Sequence, residues 1–280
     1  MTFVEAYGFL AENLTNIYDD REASTISRYL IEDIFNETFW SEKELTKAQC
    51  EILQNALERL LAHEPWQYIG GYADFYGFKF IVNPSVLIPR PETEELVYMV
   101  LDLIKHNEVD TILDIGTGSG IIPISLAKKS KKPISMYATD ISLPALKTAQ
   151  TNADMHHVDI EFIQNDILEE IQWNDLPKVR VVISNPPYIS MNEKNKMSQN
   201  VVNYEPHTAL FVKDHPMEFY FAIAKFVVNC QYPGCFLLTE INENHGDDVK
   251  DAFENGGLEN VQIFKDLQGK DRIAVAQKPN

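Results

Sequence analysis

The sequence predicts an α/β protein whose seven-stranded sheet is mostly parallel, ends in an antiparallel strand and is preceded by a small helical domain. After Pro91, strand-like runs alternate with helical ones, as expected for parallel strands joined by crossover helices. Only Asp266–Asp271 separates the last two strand-like runs, which is too short for a crossover helix, so the final strand is predicted to be antiparallel. Before residue 62, apolar residues recur at helical spacing instead.

Residues 1–64 are predicted to form the helical domain, with three helices that each carry one apolar face. We predict that Ser41 and Glu44 form a capping box before the third helix, and that Ser24 caps the second. The apolar positions of the three helices are Phe3, Tyr7, Leu10 and Leu14, then Ile26, Leu30 and Ile34, then Leu45, Ile52, Leu53 and Leu57.

Residues 65–89 are predicted to be a β-hairpin linker, and residues 90–280 the α/β domain. In the linker, aromatic and β-branched residues are punctuated by glycine and partly alternate at Phe78, Phe80 and Val82. The α/β domain opens with a predicted helix at Glu92–Lys105. Its predicted strands are Thr111–Ile115, Ile134–Thr139, Ile160–Gln164, Arg180–Ser184, Gly234–Glu240, Val261–Lys265 and Arg272–Gln277.

The balance of charge limits the possible partners. The chain has 24 Lys and Arg against 42 Asp and Glu, a formal net charge of −18, so its average surface repels a phosphate backbone. This excludes a general nucleic-acid coat protein. Half of that charge lies within residues 1–75, which favours separate roles for the two domains. The three cysteines form no disulfide framework, and the sequence has neither a leader pattern nor a His/Cys grouping with metal-ligand spacing, so we expect a cytoplasmic protein without metal or membrane partner.

A glycine-rich turn follows the first predicted strand of the α/β domain. Small residues between a strand and a helix let backbone N–H groups approach a ligand. The spacing is G-x-G-x-G, and Asp114 directly precedes the turn, where a carboxylate can meet an ammonium group. This favours the amino-acid part of S-adenosyl-L-methionine over a pyrophosphate as the ligand. The predicted cofactor-binding residues of the turn are Asp114, Gly116, Thr117, Gly118, Ser119 and Gly120.

Two further acidic residues end the next two predicted strands. Asp140 lies about twenty residues past the glycines, where a carboxylate can accept hydrogen bonds from ribose hydroxyls. Asp166 is positioned to accept from an adenine amino group, while Ile167 packs on the ring. Each aspartate alone can be explained as a helix N-cap. Three of them at successive strand ends predict a nucleoside ligand.

The segment Asn185-Pro186-Pro187-Tyr188 follows the fourth predicted strand, at the sheet edge where open α/β sheets bind ligands. Two prolines remove N–H donors and leave carbonyl acceptors. If the Asn185 side-chain oxygen and the Pro186 carbonyl each accept one N–H of a planar NH2 group, its nitrogen is held toward a methyl donor. Tyr188 is predicted to stack on that group, and no catalytic His is required. The alternative is a rigid proline turn.

With these residues in view, the chain resembles the PrmC/HemK family of class I methyltransferases. The resemblance implies a Rossmann-like methyltransferase sheet, a cofactor site that includes Asn185, and N5-methylation of the glutamine in the Gly-Gly-Gln motif of class-1 peptide chain release factors. It also implies that Asn185–Tyr188 bind the substrate glutamine. The matching stretches are Pro65–Gly71, Asp74–Phe80, Val86–Glu94, Asp114–Gly120, Asn185–Tyr188 and Glu205–Leu210.

Further predictions concern single residues in or near these motifs. Arg90, set between prolines, is predicted to order the loop, and Arg90 and Glu92 are candidate substrate-binding residues, although Glu92 also suits a helix N-terminus. Ile167 stands where relatives often have an aromatic residue, which predicts weaker stacking on adenine. The divergent Glu240–Gly246 loop is assigned no catalytic role.

Two other functions stay open. The Asn-Pro-Pro-Tyr segment suits any planar NH2 donor, so a nucleic-acid amino-group (adenine-N6-type) methyltransferase is the nearest alternative, although the acidic composition opposes a polyanionic substrate. A noncatalytic binding module is the other, and Asp114, Asp140 and Asn185 oppose it. The insertion Ile189–Pro216, which includes Lys196 and Asp214, is predicted to be a lid for a protein loop. The acidic helical domain is predicted to dock a basic protein surface, with a solubilising coat as the alternative.

Overall fold

A computed structural model of the chain describes residues 1–213 and 215–280, apart from the side chain of Lys196. The amino-terminal part is helical and encloses its own apolar core, which includes Leu10, Leu30, Leu53 and Leu60. No helix in the described ranges is both long and apolar enough to cross a membrane. The helices of this part are α1 (Phe3–Leu14), α2 (Asp20–Phe35), α3 (Lys47–Leu61) and α4 (Trp66–Gly70).

The predicted helix caps in this part are wrong. The third helix begins at a capping box formed by Thr46 and Gln49, and the second at Asp19, so Ser24 lies inside α2. The reason is tertiary: the segment around Ser41 and Glu44 is extended and pairs with the start of the chain, where the Val4 N–H donates to the Ser41 carbonyl at 3.1 Å. That pairing uses the backbone groups that a helix start would need.

Between the helical core and the sheet lies an antiparallel hairpin, β1 (Tyr72–Phe75) and β2 (Phe78–Ile81). The Lys79 ammonium pairs with Asp33 of α2, and the Tyr76 N–H donates to Glu94 at 2.6 Å. Helix α4 occupies the start of the predicted linker, so residues 65–89 contain a short helix as well as the hairpin.

The α/β part is one seven-stranded sheet. Its strands are β3 (Thr111–Ile115), β4 (Ser135–Asp140), β5 (Glu161–Gln164), β6 (Val181–Ser184), β9 (Phe236–Glu240), β10 (Glu259–Lys265) and β11 (Asp271–Gln277). Their order across the sheet is β10-β11-β9-β6-β3-β4-β5. Strands β9, β6, β3, β4 and β5 are parallel, and the last strand, β11, is antiparallel to both of its neighbours. The predicted fold class, including its antiparallel last strand, is therefore confirmed.

Helices cover both faces of the sheet, and each face buries an apolar core. Between β6 and β9 the chain also forms two 2-residue strands, which pair in parallel as β7 (Ile189–Ser190) and β8 (Phe211–Val212). The helices are α5 (Thr93–His106), α6 (Ile121–Lys129), α7 (Leu143–His156), α8 (Gln199–Tyr204), α9 (His207–Leu210), α10 (Glu218–Cys230) and α11 (Gly246–Asn255), with 3₁₀ turns at Glu170–Asp175 and Met191–Lys196.

One buried side chain, Asn152 on α7, joins the hairpin to the glycine-rich turn. Its Oδ1 accepts from the Ile81 N–H at 2.7 Å, and its Nδ2 donates to the carbonyls of Ile81 and Ser119, both at 2.9 Å. We expect Asn152→Leu to lower the free energy of unfolding by about 2–4 kcal/mol, because it leaves several buried backbone groups unpaired. Urea denaturation measures this loss. A loss below about 0.5 kcal/mol would mean that these bonds contribute no net stability.

Candidate active site

A cavity of about 200 Å³ opens at the carboxyl ends of the parallel strands β3, β4, β5 and β6, and eight of the predicted site residues line it. As far as the structure describes the lining, Asp114, Thr117, Ser119 and Gly120 are next to it and not part of it. From the predicted set, the described residues that line it are Gly116, Gly118, Asp140, Asp166, Ile167, Asn185, Pro186 and Pro187. A wider cavity of about 790 Å³ lies at the opposite edge of the sheet, beside Asp110 and Arg180, and none of the predicted residues, all of which the structure describes, borders it.

The glycine-rich turn adopts a backbone that other residues rarely adopt. Gly116, Gly118 and Gly120 have φ angles of +74°, +56° and +79°. A Cβ added at Gly116 or Gly118 would meet no atom within 4 Å, so their side-chain positions face open space at the cavity. At Gly120 a Cβ would approach Ala149 of α7 to 3.2 Å. The first two glycines thus leave room for a ligand, and the third lets two helices pack closely.

Asp114 is the predicted site residue whose surroundings best fit a cationic group of a cofactor. Its side chain is completely buried at the end of β3, and neither carboxylate oxygen has a hydrogen-bond partner among the residues that the structure describes. The buried Thr117 hydroxyl nearby also lacks one within the same residues. Burial raises the pKa of Asp114 to about 7. The Thr117 hydroxyl, which lies near the carboxylate without hydrogen-bond geometry, lowers this pKa, and the negative charge of Asp140 raises it. Such unpaired groups are costly, so a cationic donor group fits here.

Asp140 joins the glycine-rich turn to the turn that follows β4. Its carboxylate accepts from the Gly118 N–H and from the Ser142 N–H, each at 2.9 Å. It is not the N-cap of the following helix, because Ser142 caps α7. Burial raises the pKa of Asp140, and its carboxylate keeps lone pairs for further donors at the cavity.

At the end of β5 the structure brings three residues to the cavity. Asp166 accepts from the Leu168 N–H at 3.0 Å, which fixes the turn, and Ile167 is buried between the cavity and the core. Sequence reasoning missed Asn165. Its Nδ2 donates to the Gln172 carbonyl, but its buried Oδ1 has no partner within the described part of the chain. The available signal was a polar side chain directly between a predicted strand and Asp166.

The Asn-Pro-Pro-Tyr segment places three of its residues on the cavity. The Asn185 Nδ2 donates to the Thr93 hydroxyl at 3.1 Å, which turns the nitrogen end of the amide toward α5. Tyr188 instead packs against the sheet core and, among the residues described, is not part of the cavity lining. Its predicted stacking on substrate stays a prediction. Burial strongly raises the pKa of Tyr188, so its hydroxyl stays protonated.

Arg90 and Glu92 lie beside the site and not on the cavity wall, as far as the described residues define that wall. The Arg90 guanidinium pairs with Glu205 at 2.7 Å, and the other Glu205 oxygen accepts from the Ile88 N–H at 3.1 Å. Glu92 occupies the N-cap position of α5 without a side-chain capping bond. Arg90 therefore orders its loop through a buried carboxylate, a partner that sequence reasoning did not identify.

Thr93 and Glu240 were also missed. The Thr93 hydroxyl donates to the Glu240 carboxylate at 2.6 Å, and both side chains are buried. Burial raises the pKa of Glu240 to about 7. An acidic residue at the end of a buried strand was the available signal, yet the loop that begins at Glu240 was assigned no role.

The insertion Ile189–Pro216 covers one side of the cavity. Pro206, Thr208 and Phe211 contribute to its wall, and the Tyr204 hydroxyl donates to the Ala62 carbonyl of the helical part at 2.7 Å. The Lys196 side chain and Asp214, both named in the lid prediction, lie outside the described residues. The predicted ordering of this segment on docking stays a prediction.

Comparison with known proteins matches family models to two separate parts of the chain. The description "Methyltransferase small domain" matches residues 96–208, and "PrmC N-terminal domain" matches residues 11–71. The release factor glutamine methyltransferase of Bacteroides thetaiotaomicron is 37% identical over 279 residues, covering 96% of this chain and 98% of the relative. That of Lactococcus lactis subsp. lactis is 38% identical and covers 98% of both. A solved methyltransferase from Pyrococcus furiosus, 14% identical, covers 81% of this chain and 100% of its own with a TM-score of 0.51, which shows the fold alone.

Proposed function

The chain belongs to the release factor glutamine methyltransferase family, and we propose that it transfers a methyl group from S-adenosyl-L-methionine to the side-chain amide nitrogen (N5) of the glutamine in the Gly-Gly-Gln motif of class-1 peptide chain release factors. The observation that carries the proposal is the position of Asn185, which shares one cavity with the glycine-rich turn and has its amide nitrogen turned away toward Thr93. A methyl donor and a planar NH2 group can therefore meet in that cavity.

The buried polar groups support the cofactor assignment. Asp114, whose carboxylate oxygens have no partner among the described residues, would pair with the ammonium of the cofactor's amino-acid part, beside Gly116 and Gly118. Asp140 would accept from the ribose hydroxyls. Asp166 and the Asn165 Oδ1 would accept from the adenine amino group, with Ile167 against the ring. When bound, the cofactor supplies an electrophilic methyl group on a positively charged sulfur.

The acceptor groups of the chain explain how an amide nitrogen becomes a nucleophile. Its lone pair is delocalised into the carbonyl, so the nitrogen must be oriented and its developing positive charge stabilised. The Asn185 Oδ1 and the Pro186 carbonyl would each accept one N–H of the substrate amide, and hold the nitrogen toward the methyl group. Held in this way, the nitrogen would accept the methyl group that the cofactor supplies, and one N–H proton would then leave to water.

For the helical domain, residues 1–64, we infer a docking role toward a basic surface of the same factor, in the cytoplasm. Its excess of acidic residues and its link to the insertion through Tyr204 and Ala62 support this role. Residues 65–89 would then tether that domain to the methyltransferase domain, residues 90–280. The second candidate, a nucleic-acid amino-group methyltransferase, is opposed by the net charge of −18 and by the names of the relatives.

The proposal is tested with methyl-labelled cofactor and three acceptors: a class-1 release factor, the same factor with its Gly-Gly-Gln glutamine changed to Ala, and a short Gly-Gly-Gln peptide. We expect label on the intact factor and none on the Ala variant. A KM at least tenfold higher for the peptide than for the factor would support docking by the helical domain. Label on added DNA or RNA, with none on the factor, would transfer the assignment to the second candidate.

A further inference from the structure

We propose that Thr93 and Glu240 are positioning residues that fix which end of the Asn185 side-chain amide faces the substrate. The inference rests on the proposed function, because it concerns how the same site holds the substrate amide. It assigns a role to Glu240, the first residue of the Glu240–Gly246 loop, which was predicted to have no catalytic role.

The direction of the hydrogen bonds follows from counting protons. A threonine hydroxyl has one proton and can donate only one hydrogen bond. Thr93 lies 2.6 Å from the Glu240 carboxylate, which in its ionised form only accepts, so the Thr93 proton is committed to Glu240. Toward Asn185, at 3.1 Å, the hydroxyl can then only accept. The Asn185 NH2 end must face Thr93, and its oxygen end is left for the substrate.

Protonation of Glu240 removes this constraint. A neutral carboxyl group can donate to the Thr93 oxygen, which frees the Thr93 proton for the oxygen of a flipped Asn185 amide. The flipped amide presents its NH2 group to the substrate NH2 group, and two donors then face each other. The acceptor needed for methyl transfer is lost, although every residue is still present.

The surroundings of Glu240 set the balance between its two forms. The hydrogen bond from Thr93 favours the carboxylate form, and so do the charges of Arg272 on β11 and Arg90 before α5, whereas the charge of Glu92 opposes it. Tyr188 and Tyr220 also face the group, and the Tyr220 hydroxyl donates to the Glu240 backbone carbonyl at 3.1 Å. Thr93 is the first residue of α5, so the positive end of that helix adds to the stabilisation of the carboxylate. Burial acts in the other direction and raises the pKa of Glu240 to about 7.

A helix-capping role does not explain Thr93. The N-cap position of α5 is Glu92, and both hydrogen bonds of the Thr93 hydroxyl lead away from α5, to Asn185 and Glu240. The side chain is 1% exposed, so the hydroxyl has no role toward bulk solvent. The Thr93 hydroxyl therefore connects Glu240, at the end of β9, with Asn185, directly after β6.

Steady-state kinetics on the full-length protein, at saturating cofactor, tests the inference through kcat. We expect Thr93→Val to lower kcat by about 10- to 100-fold, because it keeps the side-chain shape and removes the hydroxyl that orients Asn185. Thr93→Ser restores the hydroxyl and should restore kcat to within about threefold of the wild type. The matched control is Thr239→Val, next to Glu240 on β9, because the buried Thr239 hydroxyl has no partner in the described part of the chain. Its kcat should equal that of the wild type.

The pH dependence of kcat distinguishes residues that orient the Asn185 amide from residues that only stabilise the fold. Wild-type kcat should rise with pH through about 7 as Glu240 ionises, and Glu240→Gln should remove that rise. Melting temperature and cofactor Kd are measured for each variant, and Thr93→Ser keeps the test decisive if Thr93→Val fails to fold. Wild-type kcat in Thr93→Val, or an unchanged pH profile in Glu240→Gln, would overturn the inference while the proposed function stands.

A second readout needs no substrate. In the cofactor-bound protein, the side-chain ¹⁵N amide signal of Asn185 should shift with pH around 7, and the shift should vanish in Glu240→Gln. If the proposed function is wrong and the positioning role is right, the release factor stays unlabelled and the pH-dependent shift of the Asn185 signal is still observed. A flat titration in the wild type would overturn the positioning role, whether or not the factor is methylated.

Discussion

Replacing Asn185 with alanine is expected to lower kcat for methyl transfer by about 10²- to 10³-fold, the size of effect seen when one preplaced hydrogen-bond partner of a developing charge is removed. The Asn185 Oδ1 meets positive charge that grows on the substrate nitrogen only as the methyl group is transferred. The effect should therefore fall mainly on kcat. Single-turnover kinetics with a saturating release factor measures it directly.

The control for this variant is its binding behaviour. Isothermal titration of the cofactor should give a Kd that changes by much less than kcat, because Asp114, Asp140 and the glycine-rich turn are unaltered. Asn185→Ala also removes the amide that donates to Thr93, so the melting temperature should be recorded alongside. A kcat within threefold of the wild type would exclude Asn185 as the acceptor that orients the substrate.

The sheet and the glycine-rich turn were predictable because the signals that define them are local. A strand is recognised from a few consecutive residues, and the bounds of β3 match the predicted Thr111–Ile115 at both ends. The turn is equally local, since positive φ angles at Gly116, Gly118 and Gly120 are a property of glycine itself. Even the antiparallel last strand followed from the short connection at Asp266–Asp271.

The supporting contacts were not predictable because they join residues far apart in the chain. Arg90 and Glu205 are 115 positions apart, and Thr93 and Glu240 are 147 apart, so no local pattern pairs them. The capping error has the same origin. Ser41 and Glu44 have the spacing of a capping box, but pairing of this segment with the start of the chain outweighs a local preference worth about 1 kcal/mol. Sequence thus identified eight residues of the cavity wall, and it missed Asn165 on that wall and the residues that orient the site from behind, Thr93, Glu205 and Glu240.

The second large effect is expected for Asp114→Asn, which should raise the cofactor Kd by about 10- to 100-fold. A hydrogen bond to a charged group contributes roughly 1.5–3 kcal/mol, and each 1.4 kcal/mol is tenfold in affinity. The neutral amide keeps the shape of the side chain and loses the charge that pairs with an ammonium group. Asp110→Asn is the matched control, because Asp110 is exposed just before the other end of β3. Its cofactor Kd should match that of the wild type.

The pH dependence of the same measurement identifies Asp114 as the cause. Burial raises the pKa of Asp114 from its ordinary 3.8 to about 7, so below pH 7 the free protein holds a neutral carboxyl and the cofactor must first displace a proton. Wild-type affinity for the cofactor should therefore fall about tenfold per pH unit below 7, and the affinity of Asp114→Asn should not.

The folding stability of the free protein should change with pH in the opposite direction to cofactor affinity. Because the folded state holds the proton more tightly than the unfolded state, stability is lost as pH rises from about 4 to 7. Asp114→Asn should remove the part of this stability loss that Asp114 causes. A wild-type cofactor Kd that stays constant between pH 5 and 8 would show that Asp114 does not pair with the cofactor.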